Sequence, residues 1–124
     1  MPLVLIVEDT DNVAPLEIAL SSLEAVRTIT TWNGREALKL LERESGGVAA
    51  VITDIRLPLM DGFELIAAIR SQERFGKLPI LVVSGDNQPE NSRRARELGA
   101  TAFFAKPYSP SEIRNTLEGL LYAS

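Results

Sequence analysis

The chain has 124 residues and 45% hydrophobic content, with 13 basic against 17 acidic side chains for a net charge of −4. That is the make-up of one globular domain spanning residues 1–124, large enough to bury a core without staples. Cysteine and histidine are both missing, which excludes disulfides, thiolate chemistry, Ser-His-Asp catalysis and His- or Cys-ligated zinc. The acidic balance argues against direct nucleic-acid binding.

The N-terminus, MPLVLIVEDTD, has neither a basic lead nor a long apolar stretch, and no segment reaches membrane-spanning length. A cytoplasmic protein with no membrane contact is expected. Within it, LVLIV at 3–7 is a continuous apolar run of strand length. NVAPLEIALSSL at 12–23 puts Val13, Leu16, Leu20 and Leu23 on one helical face, with Asp11 or Asn12 as N-cap and Pro15 in the first turn.

VRTITT at 26–31 reads as a weaker, edge-ward strand. GREALKLLERE at 34–44 is a helix turning Ala37, Leu40 and Leu41 inward, and VAAVIT at 48–53 is a second apolar strand. FELIAAIRSQE at 63–73 predicts a third helix and PILVVS at 79–84 a third apolar strand. PENSRRARELG at 89–99 predicts a polar helix stopped by Gly99 and anchored only by Ala95 and Leu98. TAFFA at 101–105 is a strand in which Phe103 and Phe104 alternate, so that one is core. SPSEIRNTLEGLLY at 109–122 is a closing helix aligning Ile113, Leu117, Leu120 and Leu121. Strands apolar on both faces belong to a parallel sheet covered by helices on each side. The fold class is therefore α/β, a doubly wound five-stranded parallel sheet with five helices, whose ligand crevice lies beyond the carboxyl ends of the strands.

The polar residues at those ends are Glu8 and Asp9 after the first strand, Asp54 after the third, Ser84 after the fourth and Lys106 after the fifth. Carboxylates ~4–5 Å apart repel by a few kcal/mol per pair at an effective dielectric near 20. A hard divalent cation relieves this, and Mg²⁺ suits one or two carboxylates with waters and phosphate oxygens. Lys106 then offers a point charge for a phosphoryl group. Taken singly, Asp54 is also a good turn residue, Glu8 or Asp9 could cap the first helix, and Lys106 could be a solvated charge.

The segments IVEDTD, ITDIRLPLMDGFEL, LVVSGD and FAKPYSPSEI, with WNGREALKLL between them, resemble the ordered motifs of response-regulator receiver domains across nearly the whole chain. The strand order 2-1-3-4-5, for which a member of this family is a standard example, is implied by the resemblance and not by the residue pattern. The resemblance also implies that Asp54 is the phosphorylation site, fed by a partner histidine kinase or histidine phosphotransfer protein. It implies that Glu8, Asp9, Asp54 and the Arg56 backbone carbonyl hold Mg²⁺, and that Lys106 and Ser84 contact the phosphoryl group. Ser84 and Phe103 would switch the surface of the fourth helix, fifth strand and fifth helix, where a downstream protein docks, with Phe103 the outward phenylalanine of its pair.

Arg56 and Asp86 each lie two residues past a site residue and either tune the phosphoryl lifetime or form ordinary loop charge. Arg93, Arg94 and Arg96 are either a partner patch or a solvated face. No output domain is expected within 1–124, and a homodimer stays open. An Asp-nucleophile phosphohydrolase would carry a second Asp two residues after the first, where Arg56 stands. A receiver kept only for protein interaction would have no use for the intact set of Glu8, Asp9, Asp54, Ser84 and Lys106.

Overall fold

Strands apolar on both faces need cover on both sides, and the chain supplies it by alternating strand and helix. The computed structural model describes residues 2–8, 13–23, 26–44, 47–85 and 88–122. In chain order it contains β1 (Leu3–Val7), α1 (Ala14–Ser21), β2 (Arg27–Thr31), α2 (Gly34–Arg43), β3 (Val48–Asp54) and α3 (Gly62–Arg70). There follow a 3₁₀ turn (Glu73–Phe75), β4 (Ile80–Ser84), α4 (Pro89–Leu98), β5 (Ala102–Ala105) and α5 (Pro110–Tyr122). All strand pairs are parallel, in the order β2-β1-β3-β4-β5. No helix among the described residues is long and apolar enough to cross a membrane.

Successive strand side chains face opposite ways, so the sheet divides the core in two. Leu3, Leu5, Val7, Val51, Ile80 and Val82 pack against α2, α3 and α4. Val4, Ile6, Ala50, Ile52, Leu81 and Val83 pack against α1 and α5. The central strands β1 and β4 are buried throughout, whereas the edge strands β2 and β5 are largely half-buried.

Several expectations shift at element ends. The helix expected over 12–23 begins at Ala14, with Val13 in the cap position, no side-chain cap bond and Pro15 in the first turn. Asp11 and Asn12 lie outside the described residues. Glu8 stands six residues ahead of this helix and does not cap it. The helix expected over 63–73 ends at Arg70, and the separate 3₁₀ turn after it buries Phe75, an anchor the sequence reading did not single out.

In α5, Ile113 and Leu117 are buried and Leu121 is half-buried, but Leu120 points to solvent because the inward stripe is narrower than four leucine-type residues. Neither Phe103 nor Phe104 is fully core. Each is half-buried, Phe103 against the α2–α3–α4 side and Phe104 against the α1–α5 side, since the edge position of β5 leaves both faces incompletely covered.

One close approach ties the third helix to the third strand. Asp61 caps α3, accepting from the Glu64 N–H at 2.8 Å, while the Glu64 side chain reaches back to the Asp61 N–H, a reciprocal capping box. The Gly62 N–H donates to the Ile55 carbonyl at 2.7 Å. A β-carbon at Gly62 would collide with the Asp54 carbonyl and lie 2.7 Å from Ile55 Cα, so only glycine lets α3 start this close to the strand. Gly62→Ala is expected to lower unfolding free energy by about 1–3 kcal/mol, as overpacking against backbone does. A lower urea midpoint at unchanged slope would show it.

Candidate functional site

Parallel register explains why residues far apart in sequence meet at one edge. Val7 pairs with Thr53, so Glu8 and Asp54 leave neighbouring strands side by side. Asp54 pairs with Val83 and Ser84 with Ala105, which puts Ser84 and then Lys106 one step further out on the next two strands. Adjacent strands are about 4.8 Å apart, so Lys106 must reach back across roughly two spacings, within range of its long stem.

It does so. Lys106 Nζ donates to Asp54 Oδ2 at 2.7 Å and to Glu8 Oε2 at 3.3 Å. Both carboxylates are nearly buried, Glu8 at 4% and Asp54 at 6% exposure. The other Asp54 oxygen, Oδ1, accepts from the backbone N–H of Ile55 at 2.6 Å and of Arg56 at 3.3 Å. Thr53, also buried, donates its hydroxyl to the Asp54 carbonyl at 2.8 Å. Asp54 is therefore oriented at both carboxylate oxygens and at its backbone.

The electrostatics follow from crowding. Burial, and after it the charge and hydrogen bond of Asp54, push the Glu8 carboxyl above its ordinary 4.5, against the opposing pull of Lys106. Burial alone would discourage the Lys106 ammonium, but the hydrogen bonds and charges of Asp54 and Glu8 outweigh it and hold its pKa above 10.5. Tyr108 is raised in turn by burial, with Glu8 and Asp54 adding to the effect against Lys106.

Ser84 closes β4, fully buried. Strand alternation puts Asp54 on the α1–α5 side of the sheet and Ser84 on the α2–α3–α4 side, with Phe103. The structure thus brings Glu8, Asp54 and Lys106 into direct contact and seats Ser84 one strand over, facing the α4 side. Arg56 is exposed at the mouth of the loop. Asp9 and Asp86 lie outside the described residues. Among the described residues no three acidic or other metal-ligating side chains converge. Glu8 and Asp54 nevertheless form a repelling, buried carboxylate pair, a donor set that fits a hard cation.

Two clefts flank the site, and both involve residues the sequence reading passed over. On one side Glu8, Pro15, Lys106, Pro107, Tyr108 and Pro110 line a cavity of about 460 Å³, the Lys106–Pro107 peptide being cis. An aromatic two residues after the lysine was the available signal for Tyr108. On the other side a cleft of about 370 Å³ runs between the β3–α3 loop and α4, past Arg56, Asp61, Asn91 and Arg94. Arg94 lies over the Phe63 ring at 4.2 Å from its centroid, a pairing that 31 residues of separation conceal.

The ion-pair geometry makes a pH-dependent expectation. The folded chain favours protonated Glu8 relative to the unfolded chain. Its contribution to stability is full below about pH 4.5 and is lost as pH rises through the raised folded value. Lys106→Ala removes the cation that offsets the two carboxylates, so in EDTA the variant should be less stable than the parent by about 1–3 kcal/mol at pH 7. The gap should narrow toward pH 4.5 as Glu8 takes up its proton. Urea titrations of both proteins across this range give the comparison, and a gap independent of pH would contradict it.

Comparison with known proteins agrees with the architecture. The family described as response regulator receiver domain matches residues 4–118. The two-component response regulator ORR3 of Oryza sativa is 32% identical over 114 residues, covering 90% of this chain and 85% of that protein. ORR11 from the same species is 30% identical over 120 residues, covering 97% and 81%. Among solved structures, a putative response regulator from Chloroflexus aurantiacus superposes with a TM-score of 0.87 at 30% identity, covering 98% of each chain. The chemotaxis response regulator CheY4 of Vibrio cholerae gives 0.83 at 30% identity, covering 98% of this chain and 99% of its own. The receiver domain of the sensor histidine kinase PA1611 of Pseudomonas aeruginosa gives 0.84 at 27% identity over 97% of each, and has a magnesium ion coordinated in its active-site cleft.

Proposed function

The chain belongs to the response-regulator receiver family of two-component signalling, and from that premise we propose that it is a phospho-accepting switch whose acceptor is Asp54. The observation that carries this is the ion-paired constellation at the sheet edge, Lys106 held between Asp54 and Glu8. Such a carboxylate is oriented, nearly dry and ready to act as a nucleophile.

In the proposed reaction an Asp54 oxygen attacks the phosphorus of a phosphohistidine on a histidine kinase or phosphotransfer protein. The new P–O bond forms as the P–N bond breaks, and the imidazole leaves with the bonding pair and takes up a proton. The Ile55 and Arg56 N–H groups hold the attacking carboxylate in place, and Lys106 exchanges its contact with Asp54 for a phosphoryl oxygen. The repelling pair Glu8 and Asp54, with Asp9 and the Arg56 backbone carbonyl, would hold Mg²⁺. The ion supplies, when bound, positive charge against the phosphoryl oxygens. The histidine of this chemistry belongs to the donor, and none is needed in the chain, which has none.

Ser84 then turns its hydroxyl to the phosphoryl group, and the half-buried Phe103, on the same side of the sheet, moves into the space vacated. The output is a changed surface on α4, β5 and α5 that a downstream protein reads, a population shift between two forms.

Acetyl phosphate with Mg²⁺ should add one phosphoryl group to the chain, seen as a single adduct by intact mass, with acetate as the leaving group. Asp54→Asn or EDTA should abolish the adduct. Labelling of the Asn variant at the parental rate would remove Asp54 from the acceptor role.

The lifetime of the adduct depends on how an in-line water is screened or oriented. Arg56 stands exposed beside Asp54, and Asp86 follows Ser84 by two residues. Arg56→Ala or Asp86→Ala is expected to change the dephosphorylation rate several-fold, about 1 kcal/mol in barrier. Following loss of the adduct by mass over time measures it, and parental decay in both variants would make the two residues ordinary loop surface.

A further inference from the structure

Two large apolar side chains stand in solvent on neighbouring loops at the carboxyl edge of the sheet. Trp32, the only tryptophan, follows β2 directly and is 53% exposed, and Leu59, in the β3–α3 loop, is 65% exposed. The loops are held against each other. A β-carbon on Gly34, two residues after Trp32, would collide with the carbonyl of Met60, the residue after Leu59. Each loop is also fixed from within. The Thr31 carbonyl accepts from the Glu8 N–H at 3.1 Å, and Asn33 caps α2 by accepting from the Glu36 N–H at 2.8 Å. In the other loop Leu57 and Met60 turn inward against the core, and Leu59 turns out.

Leu59 is held outward at a cost. The Met60 N–H donates to the Pro58 carbonyl at 2.7 Å, closing a three-residue turn whose central residue, Leu59, has φ +67. Turns of this size with a positive central φ are rare and strained, and left-handed backbone suits glycine far better than leucine. Burial does not repay the strain, because the side chain lies in water. A strained residue presenting a bare apolar side chain to solvent points to a contact outside the chain.

Charge and shape say what kind of surface fits there. The charged residues of segments 32–39 and 56–64 are Arg35, Lys39 and Arg56 against Glu36, Asp61 and Glu64. Such a balance gives an anionic bilayer or a nucleic acid no net field to follow. It suits a surface that meets itself, where each base can face an acid. The apolar pair is self-complementary as well. One fixed leucine knob and one flat indole per copy match crosswise under a two-fold axis. We propose that this patch is a self-association surface, on which Leu59 of one copy packs on Trp32 of a second copy, and Trp32 on Leu59. A stable interface buries about 800 Å² per partner, and two side chains with their neighbours supply only a fraction of that. The dimer is therefore weak and fills at high concentration. Both anchors are already ordered, so little freedom is lost when they meet. The pairing does not depend on the acceptor role of Asp54.

Sedimentation velocity of the full chain from micromolar to millimolar concentration tests it, with the emission of the single tryptophan as a second readout. The sedimentation coefficient should rise with concentration and the emission should move to the blue in step. Leu59→Gly removes the knob and relieves the turn, so its urea midpoint should equal or exceed that of the parent while association weakens at least ten-fold. Trp32→Ser should weaken association as much. Mixed together, the two variants should associate more strongly than either alone, because one leucine–indole contact is restored in the mixed dimer. Ile18→Ser, which removes the exposed apolar residue of α1, should change nothing. A parent that stays monomeric at millimolar concentration overturns the proposal, as does association that survives both variants or is abolished by Ile18→Ser. A mixture no stronger than its components overturns the crosswise pairing. Flotation of a monomeric parent with phosphatidylglycerol vesicles, lost in Leu59→Gly, would assign the patch to a lipid surface and also overturn it.

Discussion

The arrangement on which the rest of the site depends is the placing of one ammonium between two nearly buried carboxylates. Glu8 and Asp54 emerge from adjacent strands and would repel strongly at that burial. Lys106 is drawn in from the far edge of the sheet to bridge them, at 2.7 Å and 3.3 Å. Three strands are therefore committed in register: a slip of one residue in β1 or β3 would turn a carboxylate into the other layer. On the proposed mechanism, function and fold share this constraint. The pairing of Val7 with Thr53, and of Ser84 with Ala105, assembles the site before any partner arrives.

The same constraint accounts for the division of labour between the two faces. The charged cluster lies with the α1–α5 layer, where three prolines and Tyr108 wall a cavity around Glu8 and Lys106. Ser84 and Phe103 belong to the α2–α3–α4 layer. On the proposed mechanism, chemistry is received on one side of the sheet edge and expressed on the other, with Ser84 the residue that looks across. The α4 layer is suited to expression because so little apolar surface holds it. A helix with one buried alanine can be displaced without opening the core, and low local stability is what a switch element needs.

Arginines take over in α4 the role that leucines have in the other helices. Arg70 of α3 pins its C-terminal end by hydrogen bonds to the Gly99 carbonyl, and Arg94, just past its midpoint, covers the Phe63 ring. Contacts of this kind are individually weaker and more responsive to charge than apolar packing.

What the sequence by itself determined is the alternation of apolar runs with amphipathic stretches, and hence the parallel sheet, its double cover and the edge at which Glu8, Asp54, Ser84 and Lys106 gather. These follow from local periodicity, which is written residue by residue. The helix ends at Arg70 and Ala14, and the burial of Phe75, were not legible, because termination there depends on packing that no neighbouring residue signals. The half-burial of both Phe103 and Phe104 came from β5 lying at the sheet edge, a matter of strand order and not of the strand's own alternation. Only the tertiary structure decided that Lys106 bridges two carboxylates, that Ser84 faces away from them, and that Arg70 and Arg94 secure α4. Each of these is a contact between side chains brought together by register across strands or between helices, and long-range register leaves no mark on the local sequence.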